Sequence, residues 1–304
     1  MADLTIYVLI ILLAILIGFI ASLFGIGGGF LLVPSMILLL GMETHMTVGT
    51  VPFIILFMSL SSTIAYARQK RIDFKITAIF LTASIIGSIL GAITTTAVSG
   101  KFILVTFGVV ESVLAIILAV FKSPQEKQEA IKRQLSGKEI NQINLPEENK
   151  HDNKSSTTNS EKKWFLIQRN LVDSDGNHYN YQANILLGFP LCFIAGFLSS
   201  LVGIGGGTLY IQIFVFLCGM PIHIAIACSM FTIFISSISG TITFASLGQI
   251  NYAVGIVYAI GMVIGAQFGA IVNKKIHSKY LKPMAAAMIL FIAIRMIYFA
   301  LIET

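Results

Sequence analysis

The chain has 304 residues, of which 56% are hydrophobic and 11% charged, and its mean hydropathy is +0.87. That composition excludes a water-soluble domain with a charged shell and points to a polytopic protein of the lipid bilayer. The net charge of +6 and a pI near 9.2 call for no nucleic-acid partner, because most Lys and Arg fall in loops, where basic residues fix membrane topology.

In chain order, the first apolar run, "LTIYVLIILLAILIGFIASLF", covers residues 4–24. It lacks a basic n-region, is too long for an h-region and leads into further apolar segments, so we expect a transmembrane helix rather than a signal peptide. Apolar segments follow at 30–41, 46–67, 74–98 and 102–121. A polar stretch then runs from Lys122 to about Ala183 and opens on a charged run that cannot bury enough apolar surface to fold alone. Its last part, "WFLIQRNLVDSDGNHYNYQ", alternates around Asp175-Gly176 as a small hairpin does. "DSDGN" has the opening of a calcium loop without its distal bidentate Glu. Segments at 184–202, 208–219, 222–247, 252–273 and 281–302 complete the chain. Three parts result: a first transmembrane repeat at 1–121, a largely flexible loop at 122–183 and a second repeat at 184–304.

The two hydrophobic parts match without gaps at an offset of 178, the distance from Gly25 to Gly203. "GIGGG" falls on "GIGGG", "GMETH" on "GMPIH", "RIDF" on "QINY", and Gly87 and Gly91 on Gly265 and Gly269. This is a duplication. The loop "ARQKRIDFK" of the first half is basic where its counterpart "SLGQINY" is not, whereas "NKKIHSKYLK" of the second half is basic where its counterpart holds only Lys101. Short basic loops stay cytoplasmic, so equivalent loops are expected on opposite sides. The fold expected is an all-α polytopic membrane protein of two inverted-topology repeats, each of about five helical segments with Gly-broken helices. The central loop is then cytoplasmic and both termini lie outside. Inversion requires an odd number of crossings per half, yet the second segment of each is too short to span as a straight helix. We expect it to be tilted or broken and completed by non-helical chain.

Each "GIGGG" should break its helix, since Gly costs about 1 kcal/mol relative to Ala in a helix interior. The freed backbone groups are tolerated at membrane depth only if protein buries them or a wet cavity meets them. Unwound glycines before a short helix present bare N–H groups to an anion, and paired Gly-interrupted segments in two halves mark a transporter's binding site. The alternative is close helix packing through small residues. Gly25, Gly27, Gly28 and Gly29 with Gly203, Gly205, Gly206 and Gly207 are therefore substrate-binding candidates, and Thr50, Thr208 and Gln212 supply neutral donors close to the breaks.

Ionisable residues within spans are informative. Glu111 sits near the middle of its segment, either as a proton-coupling carboxylate or as a hydrogen-bonded structural Glu. Arg295 either pairs with a carboxylate, snorkels outward or offers a fixed charge to an anion. His45 and His223 occupy equivalent positions and read as hydrogen-bonding turn or helix-start residues, or as anion contacts or pH sensors; no third ligand at metal spacing accompanies them. The Ser/Thr series Ser59, Ser61, Ser62 and Thr63 against Ser236, Ser237, Ser239 and Thr241 reads as interhelical glue. Cys192, Cys218 and Cys228 read as small buried hydrophobes.

"GIGGGFLLVP" at Gly25 to Pro34, the following "GM" and "VGT", and the second "GIGGG" resemble the TauE/SafE family of sulfite and organosulfonate exporters, the TSUP anion permeases. The resemblance covers both hydrophobic halves and not the insert. It implies a plasma-membrane carrier that moves small sulfur-containing anions such as sulfite, sulfonates or sulfoacetate, commonly outward. The second copy departs from the pattern, with Gln212 where the first has Pro34. No HExxH, GxSxG or Walker lysine is present, so an enzyme is not expected, and no cofactor or metal is called for. The competing reading is a non-transporting membrane receptor or scaffold that docks partners on its central loop.

Overall fold

The computed structural model describes residues 2–95, 166–203, 205–276 and 278–302, with isolated positions between 97 and 117. Its helices are α1 (Ala2–Phe24), α2 (Gly29–Leu40), α3 (Thr44–Arg68) and α4 (Phe74–Thr94) in the first half. In the second half they are α5 (Ile185–Val202), α6 (Gly207–Gln212), a π-helical turn (Ile213–Leu217), α7 (Ile222–Ser246), α8 (Tyr252–Lys275) and α9 (Ser278–Ile302). Between the halves stand strands β1 (Leu166–Val172) and β2 (His178–Asn184).

The sequence sets these boundaries locally. Asp73 and Asn251, equivalent in the duplication, cap α4 and α8 by accepting from the N–H of Ile76 and of Val254, which satisfies a donor that a helix start leaves open. Gly41 and Gly219, also equivalent, end α2 and the π-helical turn with φ of 60° and 57°, the left-handed region that Gly enters without strain. Among the described residues, five helices are long and apolar enough to cross a membrane: those at His45–Arg68, Phe74–Thr94, Ile185–Val202, Ile222–Ser246 and Tyr252–Lys275. On α8 the exposed Ile256, Ile260, Ile264, Phe268 and Ile271 recur every three or four residues, an outward apolar stripe suited to lipid. The protein is an all-α polytopic membrane protein apart from its hairpin.

Glycines let the halves pack backbone against backbone. α1 lies on α8, where a Cβ on Gly265 would sit 2.0 Å from the Ile15 carbonyl oxygen and one on Gly269 2.3 Å from that of Phe19. The counterpart pair is α4 on α5, with Gly87 against Phe193 and Gly91 against Phe197. In both pairs the register advances together, so the partners run in the same direction. α3 and α7 cross at the centre, and Pro52 meets Gly240.

One end of the bundle gathers the close of α3, the start of α4, the close of α8 and the hairpin. The close of α1 is also here, since Asn273 of α8 donates from Nδ2 to the Leu23 carbonyl at 2.8 Å. Its counterpart α5 begins at this same end, directly after β2. Counterpart helices of the two halves therefore run in opposite senses.

The strands pair antiparallel from Leu166↔Asn184 to Val172↔His178, around a turn in which Gly176 has φ 82°. The hairpin is seated on the α3–α4 loop. Arg169 donates to both Asp73 oxygens, at 2.8 and 2.9 Å, and the Tyr181 hydroxyl donates to Asp73 Oδ2. Lys274 at the end of α8 pairs with Asp175 at 2.7 Å, and the Ser174 N–H donates to the Gln69 carbonyl at 3.0 Å. The hairpin tip thus bridges the first half to the second. The Asp173 carboxylate is used within the hairpin, where it accepts from the Asp175 and Asn177 N–H groups, the Asn177 amide and the Tyr179 hydroxyl.

Candidate functional site

The two breaks meet each other. After α1, Gly25, Gly27 and Gly28 take φ of 74°, 89° and 78°; after α5, Gly203, Gly205 and Gly206 take 72°, 87° and 59°. Six left-handed residues in this pattern require glycine, because a Cβ is strained there. A Cβ on Gly207 would sit 2.4 Å from the Gly25 carbonyl oxygen and 2.6 Å from the Ile26 carbonyl carbon, and one on Gly205 would lie 3.7 Å from Gly27 Cα. The crossing is contact between two main chains with no side chain between them. Gly25 to Gly29 and Gly203, Gly206 and Gly207 are buried, whereas Gly205 is partly open.

Gly28 is the N-cap of α2 and contributes no side chain. The first N–H groups of α2, at Gly29 and Phe30, have no acceptor within the helix by position, and together with the positive end of its dipole they form a place for negative charge. Ser229 fixes the first break by donating to the Gly25 carbonyl at 3.1 Å.

After the second break the chain is helical for six residues and then widens into the π-helical turn, a distortion that is frequent at functional sites. Gln212 stands at this junction. It is 3% exposed, and neither its amide nitrogen nor its amide oxygen has a hydrogen-bond partner. Such a group costs about 1–3 kcal/mol in a buried setting, so its presence asks for a ligand. The junction lies between the breaks and the hairpin end, since β2 touches the π-helical turn.

The other candidates separate. Thr208 is buried beside the crossing and has a partner. Thr50 is fully buried, but its hydroxyl donates to the Met46 carbonyl at 2.6 Å and accepts from the Asn251 N–H at 2.9 Å, which ties α3 to the α7–α8 loop. His223 is buried and its Nδ1 lies 3.1 Å from Asn273 Oδ1; through Asn273 it braces the last turn of α1 ahead of the break. His45 is exposed near the start of α3. Arg295 is exposed on α9, with its guanidinium 5.8 Å from the Tyr298 ring centre. Glu111 lies outside the described residues.

Thr47 is a residue that sequence reasoning passed over. Its hydroxyl is buried and unpartnered in the first turn of α3, next to Val48, on which Gly203 packs. The equivalent Thr63 and Thr241 also carry unpartnered hydroxyls, whereas Ser59, Ser61, Ser62, Ser236 and Ser239 beside them are bonded. Tyr210, Ser84 and Ser236 form one hydroxyl chain and Ser88, Ser200 and Ser239 another; both link helices across the halves. The three cysteines are buried and free. An open groove of about 450 Å³ between α3 and α8, lined by Phe57, Ile256, Ile260 and Ile264, is apolar throughout and offers an anion nothing.

A family model described as sulfite exporter TauE/SafE matches residues 10–296. A probable membrane transporter protein of Bacillus subtilis strain 168, YunE, is 27% identical over 299 residues, which cover 96% of this chain and 97% of that protein. A probable membrane transporter protein of Methanocaldococcus jannaschii is 25% identical over 299 residues, covering 92% of this chain and 91% of its own length. A sulfite exporter TauE/SafE family protein of Arabidopsis thaliana is 27% identical over 133 residues, or 43% of this chain and 29% of that protein. No solved structure matches the chain.

Proposed function

Because the chain belongs to the sulfite exporter TauE/SafE family of membrane transporters, we propose that it carries a small sulfur-containing anion, such as sulfite or a sulfonate, outward by alternating access around the crossed GIGGG breaks. The halves act as inverted repeats that rock about this crossing, and the hairpin end faces the cytoplasm of a plasma-membrane protein. Arg68, Lys70, Lys75, Lys274 and Lys275 cluster there, as positive loops do on the cytoplasmic side.

The observation that carries the reading is the unpartnered amide of Gln212, in the short helix that follows the second break and whose first residue, Gly207, packs on the first break. An oxyanion accepts from N–H donors and gains most where water is excluded. The Gln212 amide supplies two N–H donors and the main chain at the breaks others, with no fixed charge to hold the anion so tightly that release is slow. Pro34 at the equivalent position of the first half has neither donor nor acceptor in its side chain, so the site is asymmetric although its frame is duplicated.

Gln212→Leu keeps the size and removes the amide. A hydrogen bond to a charged partner contributes roughly 1.5–3 kcal/mol, so the KM for sulfite flux in proteoliposomes should rise about tenfold to a hundredfold. The same change removes a buried unsatisfied group, so the melting temperature of the substrate-free protein should rise. An unchanged KM, or a fall in stability with no loss of affinity, would contradict a substrate role for Gln212.

A further inference from the structure

Arg71 lies in the loop between α3 and α4, under the hairpin, where its N–H donates to the Tyr66 carbonyl at 3.2 Å. Its side chain is 4% exposed, and its Nε and Nη1 are buried without an acceptor. Nη2 lies 3.6 Å from Asp173 Oδ2, a separation that leaves an ion pair without a hydrogen bond. Asp173 cannot close on it without loss, because the hairpin's own four donors already hold that carboxylate. A guanidinium carries five N–H donors in a planar fork, and burying it with so few acceptors is unfavourable unless an anion supplies them.

The surroundings favour an anion. Among the described residues of this end, Arg68, Lys70, Arg71, Lys75, Arg169, Lys274 and Lys275 face the carboxylates of Asp73, Asp173 and Asp175 alone. Arg169 and Lys274 are matched in close ion pairs with Asp73 and Asp175. Arg68, Lys70, Lys75 and Lys275 are exposed and draw anions toward the loop. The duplicated position in the second half is Gln249, whose Oε1 is also buried and unpartnered. Both halves thus keep a polar side chain here, and only the hairpin end has the charge.

We propose that Arg71 is a second anion-binding station, separate from the breaks, which takes a small oxyanion beneath the hairpin, with Asp173 as the intramolecular competitor for the guanidinium. For the identity of that oxyanion the proposal rests on the carrier reading of the breaks. An anion arriving at Arg71 displaces the Asp173 carboxylate from its neighbourhood and loosens the hairpin tip that bridges the two halves.

The test is calorimetric titration of the purified full chain with sulfite and, separately, methanesulfonate, in a Gln212→Leu background that weakens the site at the breaks. Binding should persist in that background and be lost on adding Arg71→Gln. Asp173→Asn keeps acceptors for the Asp175 and Asn177 N–H groups and removes the competing charge, so it should tighten binding at least threefold, a gain that misfolding does not produce. Loss of all binding with Gln212→Leu alone would place the anion at the breaks only, overturning the Arg71 station and leaving the carrier reading intact. Affinity unchanged by Asp173→Asn, or retained with Arg71→Gln, would also overturn it.

Discussion

Gly207→Ala is expected to cut sulfite flux in proteoliposomes by about a hundredfold. The residue has no left-handed φ, so the change adds no backbone strain, and beside the crossing it meets only the end of the Ile233 side chain among the nearest atoms. Its new methyl would lie 2.4 Å from the Gly25 carbonyl oxygen and 2.6 Å from the Ile26 carbonyl carbon, main-chain atoms that cannot turn aside as a side chain would. Overpacking of this kind costs about 1–3 kcal/mol in a well-packed interior, so folding survives with a lowered melting temperature. The halves, wedged apart at the main-chain contact between the breaks, lose the geometry for substrate. Gly240→Ala is the control: its methyl would meet Pro52 at 3.5 Å, an ordinary contact, and flux should stay within about twofold.

Asp73→Ala should unseat the hairpin. Asp73 is 1% exposed and accepts from two nitrogens of Arg169, the Tyr181 hydroxyl and the Lys75 and Ile76 N–H groups. Removing one partner of a buried pair costs about 3–5 kcal/mol; Arg169 is 24% exposed, which places the loss near the lower figure, at about 3 kcal/mol. Asn251→Ala, which removes only the equivalent helix cap, should cost about 1 kcal/mol. Hydrogen exchange of β2 and the melting temperature read both.

The pH dependence follows from the same carboxyl. Burial alone pushes the Asp73 carboxyl up, but the bonds from Arg169, Tyr181 and the Ile76 N–H override it and hold it below its ordinary 3.8. In Asp173 burial is likewise overridden, by Asn177, the Asp175 N–H and Tyr179, and the carboxyl falls to about 2. Depressed carboxyls stabilise the fold fully above the unfolded value and lose that contribution as pH falls through the folded one. Hairpin protection should therefore be constant above about pH 5 and decline below it, and Asp73→Ala should flatten much of that decline.

Several helix boundaries were legible because they are written locally and twice: Asp73 repeats as Asn251 and Gly41 as Gly219, whereas the helix expected over 74–98 ends at Thr94 and the segment 208–219 turns π-helical after Gln212. The hairpin was legible from the alternation around Asp175-Gly176, but its seating was not. Asp73 and Arg169 are 96 residues apart, and no local pattern pairs them. Gln212 stood out as a break in the repeat, and its burial without a hydrogen-bond partner could be seen only in the structure. Thr50 and Thr47 show the limit. Both lie near the start of α3, and the choice between them turns on the Asn251 N–H, which a distant loop brings to Thr50 and not to Thr47. His45 and His223 are equivalent in sequence, yet His223 finds Asn273 while the position equivalent to Asn273 in the first half is Thr95, whose hydroxyl turns to the Gly91 carbonyl.

Alternating access around the crossed breaks is tested most directly by exchange: proteoliposomes loaded with labelled sulfite are diluted into buffer with or without unlabelled sulfite outside, and the loss of label is followed. A carrier whose two halves rock about one site returns faster when loaded, so outside sulfite should accelerate efflux severalfold, and Gly207→Ala should cut the efflux as above and remove its acceleration. Efflux no faster than from protein-free liposomes, or efflux of the same rate in the wild type and Gly207→Ala, would contradict the account.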